Sequence, residues 1–123
     1  MERLYEKLDV DFKYEDGRGS LSQLVHGGFS QINVLETKAG VSRGGHYHKI
    51  CREAFFIVAG SVKVMLKKNE IKQMEIFHKG DFFLIAPFIV HSMYFPEDCI
   101  MVALYDVPVE TADTVRDIYP DGI

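Results

Sequence analysis

At 123 residues the chain is of single-domain length and needs no disulfide or metal merely to fold. It is 47% hydrophobic and 26% charged, as a globular protein is, and no apolar run approaches the ~18 residues of a membrane helix. A formal charge of −4 argues against a general nucleic-acid or membrane-surface role, so an anionic ligand would need a local basic cluster.

The N-terminal MERLYEKLDV is charged throughout and lacks the apolar core of a signal peptide. Its first ten residues are one of two stretches that could be helical. Asp16-Gly17 and Gly27-Gly28 then mark turns. Short β-rich runs follow at 31–37, 54–58, 61–67, 73–78, 82–85, 92–95 and 100–105, separated by turn residues such as Gly60, Lys79-Gly80-Asp81 and Pro96-Glu97-Asp98. That spacing predicts an all-β sandwich or barrel over a single domain, 1–123. Run 61–67 alternates, with Val62, Val64 and Leu66 inward and Ser61, Lys63 and Lys67 outward. Runs 82–85 and 100–104 are apolar on both faces, so a second sheet or a partner subunit must cover them, and a C2 homodimer is expected. Thr111 to Ile118 is the second helix candidate. Cys51 and Cys99 form no spaced framework and read as reduced thiols of a cytoplasmic protein. Cys51 is expected to be buried, His26 and His78 exposed, and the aromatics Phe55, Phe56, Phe82, Phe83 and Tyr94 to belong to the core.

The residues that carry chemistry cluster around position 50. His46 and His48 share one face of a strand, with Tyr47 on the other. Glu53 follows after a gap that must bend the chain, and His91 comes after Pro87-Phe88-Ile89-Val90. Three imidazoles and a carboxylate suit one divalent transition metal, with Zn, Fe, Mn, Ni and Cu not distinguished. Arg43, Lys49 and Arg52 bracket the cluster and would complement a diphosphate.

Gly40–Gly60 reads G-x5-H-x-H-x4-E-x6-G and so resembles the first motif of the cupin superfamily. Gly80, Pro87 and His91 fit the second, with Phe88 in place of a usual glycine and Phe95 in place of a usual asparagine. The resemblance implies a single jelly-roll β-barrel with His46, His48, Glu53 and His91 around a metal. Segments 16–24, 30–49 and 52–64 are similar to the C-terminal metal-binding cupin domain of bifunctional UDP-sugar enzymes of capsule synthesis. More distantly, D-x-R-G, Gln31-x-Asn33 and R-G-x-H-Y resemble dTDP-4-dehydrorhamnose 3,5-epimerases. That likeness implies a catalytic base at His46 and a nucleotide-sugar ligand contacted by Arg18, Gln31, Asn33 and Arg43, to which the bracketing Lys49 is added as a substrate-binding candidate.

The implied activity is epimerisation or isomerisation by proton abstraction beside the ketone of a nucleotide-linked keto-sugar in surface-polysaccharide synthesis. Such chemistry needs a base, something to stabilise the enolate oxygen, and an acid, for which Tyr47, Tyr94 and Tyr105 are candidates. His46 can be base or ligand but not both. A metal cupin that binds a small ligand without turnover, or one that activates O₂ as a dioxygenase, is the alternative, because this barrel hosts many chemistries.

Overall fold

The computed structural model describes residues 2–109 and 116–121. Its strands are β1 (Glu6–Lys7), β2 (Phe12–Asp16), β3 (Gly19–Gln23), β4 (Gln31–Thr37), β5 (Ser42–Tyr47), β6 (Glu53–Ala59), β7 (Ser61–Lys68), β8 (Ile71–His78), β9 (Phe82–Ile85), β10 (Val90–Tyr94), β11 (Cys99–Tyr105) and β12 (Tyr119–Pro120). Two five-stranded sheets, β1-β9-β6-β11-β4 and β12-β5-β10-β7-β8, make a jelly-roll barrel, and β2-β3 form a separate hairpin. Every pairing is antiparallel. Among the described residues no helix is long and apolar enough to cross a membrane.

The period of two explains the core. Val62, Val64 and Leu66 of β7 meet Phe55, Ile57, Phe83, Ile85 and Met101 between the sheets. Ser61, expected outward, is instead buried, because its hydroxyl donates to Glu97 Oε2 at 2.8 Å where β7 begins. The doubly apolar strands are covered from within the chain. Phe83 and Ile85 enter the barrel core, whereas Phe82, Leu84 and Leu104 pack outside it against Leu8, Val10, Leu24, Val25 and Phe29.

Residues 2–10, the described part of the first helix candidate, are not helical. Leu4 is buried with its N–H on Gln73 Oε1, Tyr5 stands edge-on to Phe77 and Phe83, and β1 extends the sheet at β9. Tertiary packing overrides local helix propensity here. Of the second helix candidate, residues 116–118 are not helical and 111–115 lie outside the described residues. Cys51 is buried as expected, and His26 and His78 are exposed.

Candidate active site

The site grows from two strand ends and a turn. β5 carries Arg43, Gly44 and His46 to the inner wall, and register pairs His46 with His91 of β10. Gly44 has φ +99°, and a Cβ there would stand 2.9 Å from the His91 carbonyl oxygen, so only glycine lets the two strands approach this closely. β5 ends at Tyr47, and the chain turns through 48–52 before β6 opens with Glu53. That turn puts Glu53 on the face of the histidines. Across the other sheet Glu53 pairs with Tyr105, and Tyr105 pairs with Gln31.

One ligand atom from each of His46, His48, Glu53 and His91 lies within 4.8 Å of the others. His48, Glu53 and His91 are buried, and His46 is half-buried facing the cavity. His48 Nε2 is 3.0 Å from Glu53 Oε2, while its Nδ1 donates to the Asp117 carbonyl at 2.5 Å. His91 Nδ1 donates to the Ile89 carbonyl at 3.1 Å. Its Nε2, 3.6 Å from Glu53 Oε1, has no hydrogen-bond partner among the described residues.

The electrostatics separate these groups. Burial, reinforced by the neighbouring His91, lowers His46 to about 4, so its imidazole is neutral at pH 7. Burial also disfavours charge on His48, but the hydrogen bond and charge of Glu53 outweigh it and raise the pKa. For Glu53 the upward push of burial is overcome by His48 and His91, and the carboxyl is held low. Tyr105 is raised by burial and by the charge of Glu53, which keeps it a protonated phenol.

These groups line a cavity of about 320 Å³ between the sheets, the size class of a small-ligand pocket. Gln31, Asn33, Arg43, His46 and Tyr105 all face it. Arg43 Nε donates to Thr37 Oγ1 at 2.9 Å. Tyr94 does not face it. On β10 the inward residues are His91 and Met93, so strand parity turns Tyr94 outward, 38% exposed rather than in the core. Tyr47 points away from the cavity and stacks between Phe88 and Tyr119. Lys49 lies outside, its ammonium 4.2 Å from the centre of the Tyr119 ring. Arg52 pairs with Glu6, and Arg18, at the hairpin tip, pairs with Asp16. Neither reaches this chain's cavity.

The cluster's donor set fits a metal: borderline nitrogen and oxygen ligands converge, and one buried imidazole nitrogen is without a partner.

Residues 14–96 match the model of the family described as the polysaccharide biosynthesis C-terminal domain. The chain belongs to that family. Among solved structures it is similar to a mutant of the 3,4-ketoisomerase QdtA from Thermoanaerobacterium thermosaccharolyticum in complex with TDP-4-keto-6-deoxyglucose. The TM-score there is 0.83 at 17% identity, covering 98% of this chain and 90% of that one. A 3,4-ketoisomerase from Helicobacter canadensis matches with TM-score 0.79 at 20% identity, over 95% of this chain and 90% of that one. The capsular polysaccharide assembling protein CapF from Staphylococcus aureus matches with TM-score 0.66 at 18% identity, over 91% of this chain but 32% of that one. A comparison with curated protein sequences gave no match.

The structure shows what stands at the two positions that depart from the motif. Phe88 has φ +68°, a conformation that glycine adopts more easily, and its N–H donates to the His48 carbonyl at 2.6 Å. Phe95 is fully buried in the barrel core. Arg116 and Asp117 were not visible as site residues in the sequence. Arg116 faces the cavity, and Asp117 bonds the turn after His48. Both follow β11 in a segment with no motif, so only the folded chain reveals them.

Proposed function

We propose that this chain is a sugar-nucleotide isomerase or epimerase. It removes the proton beside the ketone of a nucleotide-linked keto-sugar and returns a proton to the resulting enediolate. The reading is carried by one juxtaposition: neutral His46 and the protonated phenol of Tyr105 face the same cavity, into which Arg43 and Arg116 also project. A neutral imidazole is a base, a phenol is an acid, and guanidinium groups suit a diphosphate. Reprotonation of the former carbonyl carbon moves the ketone by one position; reprotonation of the same carbon on its other face inverts it. The similar ketoisomerase in complex with TDP-4-keto-6-deoxyglucose favours a TDP-linked 4-keto sugar as the first substrate to try. In D₂O such a sugar should gain deuterium at the carbon beside its ketone. No exchange with any TDP- or UDP-linked keto-sugar would overturn the proposal.

His48, Glu53 and His91 are the residues that would hold a divalent transition metal, and His46 is left as the base. Three protein ligands with an open position is the pattern of catalytic zinc sites. When bound, the metal supplies Lewis-acid polarisation of the ketone.

Removing the diphosphate contacts should raise KM with metal content unchanged. Arg43→Ala and Arg116→Ala are each expected to cost roughly 1.5–3 kcal/mol in kcat/KM, the usual range for hydrogen bonds to charged groups. Arg18→Ala should have no effect unless a second chain brings it to the pocket. Steady-state kinetics with the TDP-linked sugar measures all three.

We also infer a homodimer. Among the described residues β4 is an open sheet edge, on which Ile32 and Val34 are 60% and 67% exposed. Every residue of the β2-β3 hairpin is exposed, including Phe12, Tyr14 and Leu21. An isolated two-stranded hairpin is marginal in water, and an uncovered apolar edge invites pairing. A second copy covers both surfaces under C2 symmetry. Light scattering at micromolar concentration should return twice the chain mass, and a monomer would remove this inference. The buried free thiols Cys51 and Cys99 agree with a reducing, cytoplasmic setting.

A further inference from the structure

Asp117 does more than end a strap of chain. Its carboxylate accepts three consecutive backbone N–H groups: Lys49 at 2.8 Å on Oδ1, and Ile50 at 3.0 Å and Cys51 at 2.7 Å on Oδ2. Its carbonyl accepts the His48 Nδ1 proton at 2.5 Å, and its own N–H donates to the Val109 carbonyl at 2.8 Å. The residue is buried. It is held in place from both directions, because β12 pairs with β5 at Tyr47 and His46, and the Asp121 N–H donates to the Gly45 carbonyl at 2.8 Å.

The turn it grips is the one on which the site depends. Residues 49–52 carry the chain from His48, just past the end of β5, to Glu53, at the start of β6. Among the described residues the Asp117 carboxylate meets all three N–H groups of this turn; the Cys51 bond is buried and the other two are partly so, and leaving the buried Cys51 donor unmet would carry a desolvation penalty. The carbonyl fixes the proton of His48 on Nδ1, which aims Nε2 at Glu53.

We propose that Asp117 is the positioning residue of this site, clamping the turn 49–51 through its carboxylate and fixing the ring plane and protonated nitrogen of His48 through its carbonyl. The proposal rests on the reading of His48 as a working member of the site. Asp117 touches neither substrate nor reacting atoms in that scheme and acts only through His48 and the turn.

The test uses the full-length chain labelled with ¹⁵N-histidine, with the His48 resonances identified by their loss in His48→Gln. In the unsubstituted chain His48 should show a slowly exchanging proton on Nδ1. Asp117→Ala keeps the backbone carbonyl but releases the clamp that holds it and the turn in place against His48, so it should speed exchange of that proton more than tenfold and lower Zn²⁺ affinity by about 10–100-fold, the usual loss when the outer support of a metal ligand is disturbed. Asp117→Asn, which keeps one acceptor oxygen, should shift both readouts in the same direction by less, and it carries the test if the alanine variant does not fold. Ile57→Ala in the barrel core, which destabilises without touching the strap, should leave the His48 proton and the Zn²⁺ affinity alone. The proposal is overturned if the Asp117 variants match the unsubstituted chain in both readouts, or if Ile57→Ala moves them equally. The proton-exchange readout needs neither sugar nor turnover. A chain with no isomerase activity but an Asp117-dependent His48 signal would therefore reject the functional reading and keep this one.

Discussion

His46→Ala is expected to abolish deuterium wash-in from D₂O, lowering the exchange rate by about 10²–10⁴-fold, the usual contribution of a positioned general base. The argument is one of protonation state and access. A base must be neutral before it acts, and His46 is lowered to about 4 by burial and by neighbouring His91, so it is unprotonated across the physiological range. It is also the half-buried member of the cluster, whereas His48, Glu53 and His91 lie deeper, with His48 and Glu53 bonded to each other. The sign of the pH dependence follows. Because the base works only when unprotonated, kcat/KM should hold as pH falls through 6.5 and decline only near pH 4. An acid limb near the ordinary histidine value would assign the base to another group. Tyr105→Phe supplies the complementary check. It should slow reprotonation while leaving the acid limb in place, since the phenol is the acid and stays protonated well above neutrality. Retained wash-in by His46→Ala at the unsubstituted rate would remove His46 from the chemistry altogether.

How much of this was legible in the sequence depends on which physical signal each residue carries. The barrel strands could be read because burial writes period-two patterns and apolar runs; the run at 31–37 coincides with Gln31–Thr37 and that at 82–85 with Phe82–Ile85. β2 and β3 could not, because strands exposed along their whole length carry no hydrophobic period, although the Asp16-Gly17 turn between them was visible. β1 is two residues of charged chain whose pairing with β9 depends on Leu4 and Tyr5 packing elsewhere. The cupin-motif spacing brought His46, His48, Glu53 and His91 into one list, and the register of β5 against β10 sets His91 beside His46. Strand parity would also have separated Tyr94 from His91 and Met93. Asp117 had no such signal. It bonds Lys49, Ile50 and Cys51 across 66 to 68 positions, and a lone aspartate near a C-terminus is indistinguishable from a solvated one until the chain closes.

The cluster makes a second large effect testable. Purified protein is expected to carry close to one first-row transition metal per chain, and His48→Ala combined with His91→Ala to carry none. The reason lies in how the four groups satisfy one another without a cation. Glu53 is held in its charged form, His48 supplies a hydrogen bond to one of its oxygens, and His91 Nε2 stands too far from the other to bond. A buried imidazole nitrogen without a partner is costly in an interior this enclosed, and a divalent cation satisfies it together with the carboxylate charge. Binding to the folded chain alone also stabilises it, by about 4 kcal/mol when free metal is 1,000 times its dissociation constant. Chelation should therefore lower the melting temperature of the unsubstituted protein and leave that of the double variant unchanged. Glu53→Gln should weaken the site rather than eliminate it, because the amide keeps one oxygen donor but loses the charge. Glu53→Leu should go further. It strips the carboxylate from beside His48 and His91 and leaves their buried polar atoms unpaired, a loss of about 3–5 kcal/mol in folding stability for a broken buried charge pair. Elemental analysis of the four proteins, each run beside its thermal melt with and without chelator, makes the comparison. A full metal complement in the His48→Ala, His91→Ala protein would show that the cation binds elsewhere, and the cluster would then act through its charges alone.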